Sequence, residues 1–152
     1  MSGLYTTKGD NTMRTYIQAI GDAPDRFATE SKDCTVRALS NCLGVSYKAA
    51  HAIMAKHAGR KPNSGPQWNR YSDTMLSLGF KGVAYGSGAT AKYLQSSKGF
   101  KSKKGITIAK LLPLLPERAV VGIRGHVFAV VNGQILDSGP MNGSRRVDVV
   151  FC

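Results

Sequence analysis

An α+β fold in a single domain follows from three features of the 152-residue chain. Apolar residues recur at helical spacing through the first half, short β-rich runs fill the last quarter, and an Asn132–Gly133 pair separates two of those runs. Helices first and strands afterwards describe α+β rather than alternating β and α units. The length suits one core, spanning residues 1–152, and not two. An apolar content of 42% with 20% charged residues is ordinary globular usage, which argues against disorder and against a fibrous repeat.

The elements can be justified in order. Residues 1–27 read as partly irregular, with Gly9–Asp10–Asn11 and Gly21–Asp22–Ala23–Pro24 as turns around a short strand from Met13 to Ile20. Asp33 stands before a helix over 34–43, in which Val36, Leu39 and Leu43 recur and Gly44 suits a left-handed cap. Ser46 caps a second helix from Tyr47 to about Ala58, with Gly59 as its stop. After a loop over 60–67, Trp68, Tyr71, Met75 and Leu78 mark one face of a third helix that ends at Gly79.

The stretch from Gly82 to Gly105, rich in glycine and lysine, reads as loop with one short helix at most. Thr107 opens a brief helix through Leu112 that Pro113 and Pro116 close. Strands follow at Ala119–Ile123, Val127–Val131, Gln134–Leu136 and Val147–Phe151. Asn-Gly between the second and third of them is the strongest short hairpin signal.

The net charge is +12, so an anionic partner has to be considered. Nowhere is there an apolar run of the roughly 18–20 residues a membrane span needs. Met1 to Thr15 lacks the apolar block of a secretory signal, which points to the cytoplasm. Three cysteines without CxxC spacing give neither a disulfide framework nor a metal site, and no cofactor motif is present. Gly86–Ser87–Gly88 lacks the Lys-Ser/Thr of a phosphate-binding loop and reads as a flexible turn.

The hairpin has a chemical consequence. With Asn132 and Gly133 as its two turn residues, Phe128 faces Asp137, and His126, Phe128, Ile135 and Asp137 share one face. His126 and Asp137 become diagonal neighbours, close enough for a carboxylate to orient an imidazole. Cys34 lies in the first turn of a helix, where the macrodipole favours the thiolate. Cys, then His, then Asp, far apart in sequence, is an order that suits nucleophilic catalysis.

Asp33–Cys34 opening an amphipathic helix, followed by the run from Gly125–His126 to Asp137, resembles the papain-like cysteine peptidase superfamily. Within it the chain is similar to bacteriocin-leader peptidases and to small bacteriophage proteins with the same DC…GH…D plan. The resemblance takes in 34–43 and 107–138, about a third of the chain. It implies a papain-like domain with helices carrying the Cys packed on an antiparallel sheet carrying the His and Asp. Cys34 would be the nucleophile, His126 the general base and acid, and Asp137 the orienting residue, acting on an amide, peptide or isopeptide bond of a protein or peptide substrate.

One departure concerns the oxyanion hole. The superfamily usually places a Gln shortly before the nucleophile, whereas here residues 28–32 contain none. The Cys34 amide supplies one donor, and Gln18, Thr29 and Ser31 are the candidates for a second.

A competing reading rests on Lys92, Lys98, Lys101, Lys103 and Lys104, interleaved with Tyr93 and Phe100. Such a set could neutralise phosphates and stack bases. On that reading the fold is catalytically weak or inactive and serves as a basic binding protein for nucleic acid or a host protein.

Overall fold

The computed structural model describes residues 4–8 and 13–152, with side chains from residue 16 onward. The turn expected at Gly9–Asp10–Asn11 lies outside the described residues. Strands β1 (Leu4–Lys8) and β2 (Met13–Ile17) form an antiparallel pair. Three helices follow, α1 (Cys34–Leu43), α2 (Tyr47–His57) and α3 (Trp68–Ser77). Next come β3 (Gly82–Ala84), α4 (Ala89–Lys98), α5 (Ile108–Leu111) and a 3₁₀ turn at Leu112–Leu114. The chain ends in β4 (Arg118–Ile123), β5 (His126–Val131), β6 (Gln134–Leu136), β7 (Met141–Asn142) and β8 (Val149–Phe151).

A five-stranded sheet of order β3-β8-β4-β5-β6 divides the molecule, and a three-stranded sheet of order β1-β2-β7 lies on its far side. Alternation along the strands sends side chains into two cores. Val120, Val127, Ala129, Val149 and Phe151 pack with Val36, Leu39, Met54, Tyr71 and Leu94 of the helices. Val121, Phe128, Val130, Ile135 and Val150 pack instead with Ile17, Ile108, Leu111 and Met141. Burial on both faces explains why β4 and β5 read as unbroken apolar runs rather than alternating ones.

Local signals account for the helix ends. Ser46 Oγ accepts the Ala49 N–H at 3.1 Å and Thr107 Oγ1 that of Lys110 at 3.4 Å, so both cap as expected. Gly44 closes α1 at φ 69°, donating its N–H to the Ser40 carbonyl.

The region 82–105 is more ordered than the loop with one short helix that was expected. It holds a strand and a ten-residue helix, because the cap of α4 comes from far away in sequence. Asp148 accepts the Gly88 N–H at 2.7 Å and the Ala91 N–H at 3.2 Å. Its carbonyl also takes the N–H groups of Tyr85 and Gly86, so Gly86–Ser87–Gly88 is clamped rather than a free turn. A Cβ on Gly88 would lie 2.8 Å from the Asp148 Cγ, which is why a side chain is excluded there.

Both edges of the larger sheet are covered by passing chain. Ala19 bridges Ile135 in parallel, and the Ile20 N–H meets the Ile135 carbonyl at 2.9 Å, which leads Asp22 past the end of β6. On the opposite edge Ser102 bridges Ala84 and the Lys103 N–H meets the Ala84 carbonyl at 2.8 Å. Among the described residues no helix is long and apolar enough to cross a membrane.

Candidate active site

The β5–β6 hairpin has the register its turn dictates. Asn132 and Gly133 both have positive φ, 52° and 76°, and Ala129, Val130 and Val131 pair with Leu136, Ile135 and Gln134. Asp137 follows β6 at a buried position, while His126 opens β5 after Gly125, whose φ of 76° closes the preceding two-residue turn. The two side chains meet: His126 Nε2 lies 2.5 Å from Asp137 Oδ2. The imidazole also stacks on Phe128 with ring centroids 6.1 Å apart.

Cys34 is the first residue of α1, directly after the turn at Lys32, where φ is 49°. Val36, Ala38, Leu39 and Cys42 fix the helix against the sheet, and this docks the half-buried Cys34 onto the start of β5. Its thiol faces the His126 ring and the Val127 N–H, the two groups that most favour its ionised form. Since Nε2 is committed to Asp137, the nitrogen left for Cys34 is Nδ1.

The electrostatics follow from those contacts. Burial opposes ionisation of Cys34, but the hydrogen bonds from His126 and the Val127 amide, together with the His126 and Arg37 charges, pull its pKa below the usual thiol value. For His126, burial disfavours the cation, yet Asp137 and Cys34 outweigh it and raise the pKa to about 9. Burial likewise works against Asp137 as an anion, and contacts with His126, the Ser138 N–H and Arg37 keep its pKa below the ordinary carboxylate value. The arrangement therefore shifts the pair in the direction of thiolate beside imidazolium.

Arg37 is the site residue that sequence reasoning missed. Its Nη1 donates to Asp137 Oδ1 at 2.9 Å and to Asp22 Oδ2 at 3.0 Å, and its Nε donates to Asp33 Oδ1 at 3.1 Å. Asp33 also takes bonds from Arg26 Nε at 2.9 Å and from the Tyr47 hydroxyl at 2.8 Å. Its side chain thus makes no capping hydrogen bond at the start of α1, because two arginines and a tyrosine occupy it. The one available signal was the four-residue spacing of Asp33 and Arg37 on a helix.

Of the oxyanion candidates, Ser31 is engaged elsewhere and Gln18 and Thr29 are exposed. Gln18 is exposed and precedes Ala19, which runs beside Ile135, so it lies along β6 on the side away from Asp137. Thr29 is exposed. Ser31 gives its N–H and hydroxyl to Asn63 Oδ1 at 2.9 and 3.2 Å. Glu30 next to it is held by Arg60, His51 and the Asn63 N–H, a cluster that anchors the loop before Cys34.

The five lysines do not occupy one mobile loop. Lys92 and Lys98 lie on α4, and Lys98 Nζ pairs with Asp73 Oδ1 at 3.1 Å. Lys101, Lys103 and Lys104 follow the edge of β3 and are exposed. Tyr93 gives its hydroxyl to Asp73, and Phe100 packs against the helical core, so both aromatics are engaged within the fold.

Beside His126 opens a cleft of about 670 Å³, walled by Trp68, Tyr85 and the start of α4 on one side and by Arg124, Gly125 and Val127 on the other. Comparison of the chain with protein families, with curated proteins and with solved structures finds no match. What the site does is therefore argued from its own chemistry.

Proposed function

We propose that the chain is a papain-like cysteine hydrolase that cleaves an amide, peptide or isopeptide bond in a protein or peptide substrate. The observation that carries this reading is the position of the His126 ring, whose Nε2 lies 2.5 Å from Asp137 Oδ2 and which sits close enough to Cys34 to favour its thiolate. A nucleophile, a base within reach of it and a third group orienting the base are the requirements for an activated thiol.

In this mechanism the Cys34 thiolate attacks the substrate carbonyl carbon, forming a C–S bond as the carbonyl electrons move onto oxygen. The Cys34 N–H at the start of α1 donates to that oxyanion, and the Asp33 side chain makes no bond that competes for it. Collapse of the intermediate breaks the C–N bond, and His126 passes its proton to the departing amine. Water, deprotonated by His126, then attacks the thioester, and the carboxylic acid leaves as Cys34 is regenerated. Asp137 keeps the ring turned and stabilises its cationic form throughout. A reducing cytoplasm suits this chemistry, since Cys34, Cys42 and Cys152 are all free thiols.

Mapping new peptide ends after incubation with a complex peptide mixture tests the reading. Wild type should generate products that Cys34→Ala does not, with Asp137→Asn intermediate. Identical products from wild type and Cys34→Ala would reject it.

A further inference from the structure

We propose that the cleft beside His126 is a subsite for an acidic segment of the polypeptide substrate. This inference rests on the hydrolase reading and adds a substrate class to it. The volume of about 670 Å³ is in the range of ligand-binding clefts. Gly125 and Val127 in its wall flank His126, and Val127 is the residue whose N–H reaches Cys34. The cleft therefore adjoins the start of the strand that carries the imidazole.

The charge around the cleft is one-sided. Arg124 and Arg146 line it, both exposed, and among the described residues neither has a carboxylate within ion-pairing distance. The cleft's own carboxylate, Asp148, is committed to the Gly88 and Ala91 N–H groups. Lys101, Lys103 and Lys104 precede Gly105 of the cleft wall in the segment that runs along the β3 edge, where the Lys103 N–H is bonded to the Ala84 carbonyl. Cationic rims of this kind select and steer anionic partners.

A polypeptide is favoured over a nucleic acid on two grounds. The adjoining thiol and imidazole act on acyl groups, and of the aromatics along the lysine strip Phe100 is packed against the core while Lys98 Nζ lies over the Tyr93 ring, 5.8 Å from its centroid.

Trp68 is the chain's one tryptophan and lines the cleft, so its fluorescence reports occupancy. The probes are acetyl-Ala-Glu-Glu-Ala-Ala-amide, its Gln-Gln and Lys-Lys analogues, and a short oligothymidylate, titrated into Cys34→Ala protein, which cannot turn over the peptides. The acidic peptide should bind about tenfold tighter than the Gln analogue, the scale of two ion pairs at a rim. That preference should vanish in Arg124→Ala/Arg146→Ala, persist in Arg124→Lys/Arg146→Lys, and weaken as salt rises from about 50 to about 500 mM. Equal binding of the Gln analogue, tighter binding of the oligonucleotide, or no fluorescence change with any peptide would overturn the proposal. Acidic preference in a wild-type protein that yields no Cys34-dependent cleavage products would uphold the cleft and reject the hydrolase; cleavage without acidic preference would do the reverse.

Discussion

Arg37 Nη1 lies 2.9 Å from Asp137 Oδ1, on the carboxylate whose other oxygen meets His126. A helix residue three positions after Cys34 thereby holds the far end of the chain of contacts that begins at Cys34. Because the same guanidinium binds Asp33 and Asp22, it joins α1, the strap along β6 and the β5–β6 hairpin at one point. The side chains of Arg37, Asp33 and Asp137 are 11%, 1% and 5% exposed, so little water is available to replace the contact.

Arg37→Ala should therefore destabilise the protein by about 3–5 kcal/mol, the usual cost of leaving buried charges without their partner. Arg37→Lys, a single ammonium in place of a fork, should recover only part of it. Denaturant unfolding of the two variants beside wild type measures both values, and a loss under about 1 kcal/mol for Arg37→Ala would show the network to be dispensable.

The pKa shifts predict how stability depends on pH. Glu30 is lowered from 4.5 to about 2 by its hydrogen bond from Arg60, and Asp33 and Asp137 are also lowered. Groups lowered in this way add stability that is present above their unfolded values and lost as pH falls through the folded ones. His126, raised from 6.5 to about 9, adds stability that is full below 6.5 and lost as pH rises through about 9. The thiol of Cys34 titrates in the opposing sense, so the alkaline arm is best read in Cys34→Ala, where Asp137 still holds the ring. Calorimetric midpoints should peak between pH 4.5 and 6.5, and a flat profile down to about pH 3 would contradict the carboxylate assignments.

Asp148 links β8 to α4 across 60 residues of sequence. Asp148→Ala should cost about 0.5–2 kcal/mol, the range for loss of a helix cap. Hydrogen exchange should localise the change to residues 86–92, next to the cleft. Protection lost uniformly over the whole chain would argue against a local latch.

The parts of this structure legible in the sequence are those whose causes are local. Asn132–Gly133 set the hairpin register, and the register alone put Asp137 beside His126. Ser46, Gly44 and Thr107 marked helix ends because each cap lies within a few residues of what it caps. By contrast, α4 was legible only as one short helix without bounds because its cap is Asp148, and β3 was missed because three residues become a strand only through pairing with β8. The role of Arg37 depends on Asp22 and Asp137 being brought to it by tertiary structure, which no spacing along the chain reveals. Likewise, the aromatics in the lysine-rich stretch looked available for bases until Asp73 and the core were seen to take them.

The central claim, that His126 draws Cys34 toward its thiolate, is tested most directly by the pH dependence of alkylation with iodoacetamide, read site by site by mass spectrometry. Cys152 is exposed and serves as an internal reference, while Cys42 is buried and raised to about 11 by that burial. The account predicts that Cys34 reacts faster than Cys152 at neutral pH, keeps its rate into mildly acidic solution, and loses that advantage in His126→Ala. A Cys34 rate that rises only on the alkaline side, together with that of Cys152, and is unchanged by His126→Ala would contradict it.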